Sequence, residues 1–355
     1  MKDIKTRYEN LSPRREAFLN RARHASSLTI PTLLPPDGTT GTTDLVSTYQ
    51  GLGARGVSNL ANRLMQSLFP TNVPFFKFLI DEGTLDALQP TETIQTEIDQ
   101  GLVRAEKQVL QEVEVGHVRI AEYEALEHLV VSGNACLYHP ENGRSRMYNL
   151  GQFVVARDGR DMIETLITTE EVSWEAIPDS MRKIMEEKGL GSSAHDDKNL
   201  ELFTAVWWDD TKKRYLTKQQ VNGEDVPGSE GSYKKDMLPW QAPRYTKVSG
   251  EDYGRGAVEP HIGDLRALES LTKASVEGAA AAARILVLVD PGSPTRREVL
   301  EEAPNGAVVV GREQDITFLQ SSKGGDLAIA RSLMESLEER LSFAFLLNSA
   351  VQRSG

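Results

Sequence analysis

Six consecutive residues, Gly51-Leu52-Gly53-Ala54-Arg55-Gly56, spell the G-x-G-x-x-G pattern that can deliver a phosphate to a helix N-terminus. That chemistry needs a buried apolar strand just before the glycines and an acidic residue about 20 positions later. The residues from Thr42 to Gln50 are polar, and Phe69-Pro70 interrupts the stretch that would have to carry the acid. The pattern therefore predicts a helix start whose backbone packs closely, in preference to a nucleotide site. Cys136 sits in the half-apolar run Gly133-Asn134-Ala135-Cys136-Leu137-Tyr138 and is expected to be a buried structural thiol, not a nucleophile. The histidines His24, His117, His128, His139, His195 and His261 are scattered. His117 and His128 could share a helix face, but no carboxylates or cysteines stand at ligand spacing, so neither zinc nor any other cofactor is expected. Glu122, Glu124 and Glu127 read as a solvated helix surface more readily than as an acid/base pair. Trp207-Trp208 would send one indole to each side of a strand. No catalytic constellation emerges, which moves weight from an enzyme toward an assembly component.

The elements that must position these residues come from a chain of 355 residues with 39% hydrophobic and 26% charged residues, enough for a sizeable core. The net charge is −12, which argues against wrapping nucleic acid by neutralising phosphates. An acidic wall could still border DNA that has to slide without sticking. A single cysteine suits a reducing compartment. The charged opening Met1-Lys2-Asp3-Ile4-Lys5 predicts no secretory leader, and the longest apolar run, Val276 to Val289, is broken by Glu277 and Arg284, so no membrane partner is expected.

Periodicity predicts a helix over 5–29, in a region to 30 where seven Lys/Arg oppose three Asp/Glu. That surplus is either a solvated face or a local contact with phosphate or an acidic neighbour. Breakers and a Gly/Thr-rich loop follow, then a helix from Gly51 to Phe69, a strand-like stretch from Val73 to Ile80, and a helical pair over Pro90–Gly116 and Val118–Ser132. From Asn134 to Val248 the period becomes two. Strands Met147–Ala156 and Met162–Thr169 flank Asp158-Gly159, and Leu200–Trp208 pairs with Arg214–Val221. A short helix over Pro178–Lys188 separates these hairpins, and Asn222–Ser232 reads as a loop. The last third predicts a long helix over Ala257–Arg284, a small α/β insert over 285–319, and a returning helix over Asp326–Leu347 with Asp326 as its N-cap. The fold class is α+β.

Ordered segments along the whole chain resemble the head-to-tail connector (portal) family of short-tailed bacteriophages. They include Ile30-Pro31-Thr32-Leu33-Leu34-Pro35, Gly53 to Met65, Leu68-Phe69-Pro70, Glu124 to Asn134, Gly250 to Gly256, Gly263 to Glu269 and Arg340 to Gly355. The resemblance implies a portal fold: a mixed α/β wing over 1–254, stem helices over 255–284 and 326–347, and a small α/β clip over 285–325. Residues 348–355 would then begin a truncated crown-side region. It implies a homo-oligomeric ring, typically a dodecamer, at one capsid vertex of the virion, assembled in the host cytoplasm. Its implied partners are major capsid and scaffolding proteins, terminase, a tail adaptor, and double-stranded DNA read without sequence specificity. In that frame Arg331, Glu335, Glu338, Glu339 and Arg340 would line the DNA channel, and Arg296, Arg297, Glu298, Arg312 and Glu313 would contact terminase or adaptor.

Overall fold

The computed structural model describes residues 3–70, 74–81, 83–84, 92–187, 200–282, 286–289, 316–319 and 324–347, with 302, 304 and 308. Helix α1 spans Ile4–Ser27 and is capped by Asp3, whose carboxylate accepts the Thr6 amide at 2.9 Å. Helix α2 spans Leu52–Leu68, α3 Glu92–Val115, α4 Val118–Ser132 and α5 Asp179–Glu187. The C-terminal pair is α6 over Ile262–Ala282 and α7 over Gly324–Ala344. Each helix expected from periodicity is present. Helix α7 begins two residues before the expected cap, so Asp326 lies inside its first turn and not at its N-cap.

All strand pairings among the described residues are antiparallel. β1 (Cys136–Tyr138), β2 (Arg146–Tyr148) and β9 (Trp240–Gln241) form a three-stranded sheet in the order β2-β1-β9. The main sheet runs β3 (Phe153–Arg157), β4 (Ile163–Val172), β5 (Leu200–Asp209), β6 (Arg214–Val221) and β7 (Glu224–Asp225), with β8 (Gly231–Tyr233) also on β6. A separate ribbon pairs β10 (Leu286–Val289) with β11 (Ile316–Leu319).

Four local expectations are corrected. The expected strand Met147–Ala156 is two strands in different sheets, parted by a turn in which the Gln152 amide donates to Asn149 O at 2.8 Å. The β3–β4 hairpin exists, but its left-handed residue is Asp161 (φ 71°), not Gly159. The Asp158 carboxylate organises that loop by accepting the Arg160 and Met162 amides. The loop expected over Asn222–Ser232 contains β7 and the start of β8, because Asn222-Gly223 (φ 50° and 83°) supplies a tight turn. Residues 74–81 form no strand. Phe69, Phe75, Phe76 and Phe78 instead stack edge to face at 5.2–5.5 Å, which accounts for the apolar spacing.

Helix α1 covers one face of the main sheet, with Ile4, Leu11 and Tyr8 packed on Val154, Ile167, Phe203 and Ala205. The edge strand β3 is blunted by side chains. Tyr253 Oη accepts the Val155 amide at 3.1 Å, Asp252 accepts the Arg157 amide at 2.9 Å, and buried Arg15 donates to the carbonyls of Gly151 and Phe153. Cys136 is fully buried in the neighbouring core, and burial pushes its thiol well above the usual range, as a structural role requires.

Candidate functional site

The C-terminal helices are held together at one end and exposed at the other. Leu265 and Leu268 of α6 and Leu337 and Leu341 of α7 are buried in one cluster with Val57, Leu60, Val130 and Val131. Farther out, Thr272 and Ser275 turn their hydroxyls toward Met334 Sδ at 3.7 and 3.9 Å. Beyond them Val276, Ile329 and Leu333 are more than half exposed. The pair therefore projects from a rooted base.

That base explains the glycines. A Cβ at Gly53 would stand 2.5 Å from Leu28 O, and one at Gly56 would stand 2.6 Å from the ring of Phe345. Phe345, just past the end of α7, is 1% exposed and fills the notch that Gly56 leaves on α2. Asn59 Nδ2 donates to Phe345 O at 2.9 Å. The segment before α2 is not a strand, and Gly51 to Gly56 lie in a packed helix start, so the glycine pattern builds a joint and no phosphate cradle.

A second backbone contact lies beside the first. Gly133 (φ 77°) abuts the backbone of Arg255 and Gly256, and a Cβ at Gly254 would stand 2.6 Å from Gly133 O. The Asn134 amide closes the contact, donating to Gly254 O at 3.0 Å and accepting the Gly254 amide at 2.7 Å. Val258 donates its amide to Val130 O at 3.2 Å.

Glu269 of α6 makes a contact that the sequence did not signal. Its two carboxylate oxygens accept the backbone amides of Tyr49 and Gln50 at 3.0 and 3.2 Å. Gln50 is buried and bridges Leu28 O to the Gly53 amide at 2.7 and 2.8 Å. The chain entering α2 is thereby clamped onto α6 across 220 residues of sequence.

The charged residues expected on the returning helix are all exposed. Glu335 and Glu339 lie one turn apart on the side of α7 opposite Leu337 and Leu341. Arg331 Nε donates to Glu335 at 3.0 Å, with both side chains well over half exposed. Arg340 donates to Asp264 of α6 at 3.0 Å, a partner the sequence reading missed. Glu338 and Glu339 face solvent. The structure thus places the five on one helix and engages both arginines within the chain. Arg296, Arg297, Glu298, Arg312 and Glu313 lie outside the described residues. What is described of their region is the ribbon β10–β11, with Leu286 opposite Leu319 and Val289 opposite Ile316, which brings the two ends of the insert together.

The histidines do not cluster with one another, and the expected solvated surface holds only for Glu124: Glu122 is half-buried and lies 3.6 Å from His139 Nε2, and half-buried Glu127 accepts the Tyr123 hydroxyl at 3.3 Å. His128 is buried in α4, and desolvation lowers its pKa to about 4. His117 caps the start of α4 in a left-handed conformation. No group of three or more His, Cys, Asp or Glu among the described residues could hold a metal. No described helix is long and apolar enough to cross a membrane.

Comparison with known proteins matches the family described as bacteriophage head to tail connecting protein over residues 1–355. The chain is similar to the portal protein of Escherichia phage T7, 36% identical over 356 residues, and to that of Enterobacteria phage T3, 34% identical over 355 residues. Each alignment covers 99% of this chain and 66% of the relative, so the chain spans just under two thirds of their length. A solved structure, the neck of an empty GTA particle computed with C6 symmetry, aligns over 86% of this chain and 68% of that chain. It does so at 12% identity and a TM-score of 0.42, too low to carry weight. The segments that first suggested the resemblance, including Gly53 to Met65, Glu124 to Asn134, Gly250 to Gly256 and Gly263 to Glu269, are those that meet at the root of the helix pair, and with the match over 1–355 they establish that this chain belongs to the family of bacteriophage head to tail connecting proteins.

Proposed function

We propose that the chain is a portal subunit, a structural component whose copies form a ring at one vertex of the virion and conduct double-stranded DNA in packaging and ejection. The observation that carries this reading is the α6–α7 pair, rooted by Phe345 in the Gly56 notch and left with exposed outer faces. Two rods with buried bases and exposed apolar positions at Ile329, Leu333 and Phe343 suit side-by-side packing with copies of themselves. In this reading 1–254 is the wing, 255–284 and 326–347 are the stem, 285–325 is the clip, and 348–355 begins a crown-side region. The clip residues Arg296, Arg297, Glu298, Arg312 and Glu313 would meet terminase and later a tail adaptor. The wing would meet capsid and scaffolding proteins.

The channel surface would be α7. With Arg331 held by Glu335 and Arg340 by Asp264, the charges left to face a duplex are predominantly the carboxylates of Glu338 and Glu339. Carboxylates repel phosphate, so the wall lets DNA pass without capturing it, and the motor that consumes ATP is a separate protein. Negative-stain images of the purified protein test the reading. Rings with an axial hole are expected, whereas a monodisperse single subunit at micromolar concentration would refute it.

A further inference from the structure

Between the turn at Thr40–Thr43 and the Glu269 clamp the chain runs straight and unpaired. Residues 43–48 contain no helix, strand, turn or bend and no positive φ, a run of about 20 Å at the rise of a strand. Both ends of this arm are fixed. Before it, Arg23 pairs with Asp37, and the Thr43 amide donates to Thr40 O at 3.0 Å. After it, Glu269 accepts the Tyr49 and Gln50 amides, and the Lys273 ammonium lies 5.8 Å from the centre of the Tyr49 ring. Among the described residues Asp44, Leu45, Val46 and Ser47 make no hydrogen bond within the chain, through backbone or side chain. Val46 is 85% exposed.

Free N–H and C=O groups along a straight run are the surface by which one strand recruits another. The β-branched residues Thr43, Val46 and Thr48 favour that conformation. Two fixed ends reduce the ordering that pairing would cost. The same chain carries the complement. Among the described residues β2 pairs only with β1 and β8 only with β6, so each leaves one side of its ladder open, whereas Tyr253, Asp252 and Arg15 cover the edge of β3. A free strand and an open edge on the same molecule make a heterologous contact, which closes into a ring or continues as a filament.

We propose that residues 43–48 of one copy add as a strand to an open sheet edge, β2 or β8, of the next copy, an inference that rests on the ring reading and supplies it with a backbone-to-backbone contact. Glu269 fastens the arm to α6, so the arm stands beside the helix pair whose exposed faces the ring reading brings together. The partner is a strand edge and not nucleic acid, because the groups on offer are backbone amides and carbonyls and the single charge of the arm, Asp44, is negative.

The test compares the full chain below and above its assembly concentration by hydrogen-exchange mass spectrometry. The amides of residues 44–47 should exchange roughly 100-fold more slowly in rings than in subunits. Two single variants, Leu45→Pro and Val46→Pro, each remove one amide. Proline fits a straight chain, so the fold should be untouched, as circular dichroism checks. Neighbouring amides point to opposite sides of a strand, so one of the two prolines should raise the protein needed for half-assembly about tenfold. Val46→Thr keeps the amide and the branched shape and should assemble like wild type. Rings whose 44–47 amides exchange as fast as in the subunit, or rings unaffected by either proline, would overturn the strand addition and leave the portal reading standing. Protection that appears only once rings are built into heads would also overturn it and reassign the arm to a sheet edge of a shell protein. A wild-type chain that never forms rings would overturn both.

Discussion

At the residue scale the most consequential contact is the ring of Phe345 in the notch at Gly56. A Gly56→Ala methyl would press on that ring from 2.6 Å, an overpacking expected to cost about 1–3 kcal/mol. Phe345→Ala empties the notch and is expected to cost about 3–5 kcal/mol. The double variant Gly56→Ala with Phe345→Leu should cost less than the sum of its single changes, and urea unfolding of the four forms measures the coupling. His128 gives a pH prediction. Desolvation holds its folded pKa near 4, below the ordinary 6.5, so the folded state favours the neutral ring. The sign follows: stability is full above pH 6.5 and falls as pH drops toward 4, by up to about 3 kcal/mol. Its Nδ1 is buried without a hydrogen-bond partner, so His128→Leu should flatten that part of the stability profile in denaturation at pH 4 to 8.

At the scale of elements, the link from α6 to the chain entering α2 depends on one carboxylate. Glu269→Ala removes the acceptor for the Tyr49 and Gln50 amides, one exposed and one half-buried charge-assisted bond, worth at most about 1.5–3 kcal/mol each. Hydrogen-exchange mass spectrometry should show at least tenfold faster exchange in the peptide containing those amides, with the β5–β6 hairpin unchanged. Unaltered exchange at Tyr49 and Gln50 would show that the clamp contributes nothing. Arg15 has a comparable role on the sheet, where its guanidinium covers carbonyls at the edge of β3. Arg15→Met leaves those carbonyls without the donor and is expected to destabilise the α1–sheet unit by about 1–3 kcal/mol, read by thermal unfolding.

For the whole molecule, the prediction concerns charge along the passage. Reversing Glu335 and Glu339 to lysine converts an anionic face into a cationic one and also removes the acceptor of Arg331. The exposed Arg331–Glu335 pair adds little stability, so rings should still assemble. Packaging, measured as DNA protected from nuclease inside heads, should fall as the wall begins to hold phosphate, and the loss should shrink as salt is raised. Full packaging by rings carrying both reversals would remove α7 as the lining.

The sequence alone determined the helices and the two main hairpins, because those depend on local periodicity. Leu265, Leu268 and Leu271 recur at helical spacing, and Asp158-Gly159 marks a hairpin whatever surrounds it. Ordered segments also sufficed for the family resemblance, since they span the chain. Where local signals were ambiguous, the fold decided. Phe75, Phe76 and Phe78 looked like a strand until stacking claimed them, and Met147–Ala156 was divided between two sheets by a turn. The charge partners of Arg340 and Glu269 were invisible in sequence, since Asp264 and the Tyr49–Gln50 amides lie 76 and about 220 residues away. The purpose of Gly56 likewise needed Phe345, 289 positions later by subtraction (345 − 56). Side-chain period is a property of neighbours along the chain, whereas a notch and the ring that fills it meet only when distant helices pack, so tertiary structure alone decided the joint.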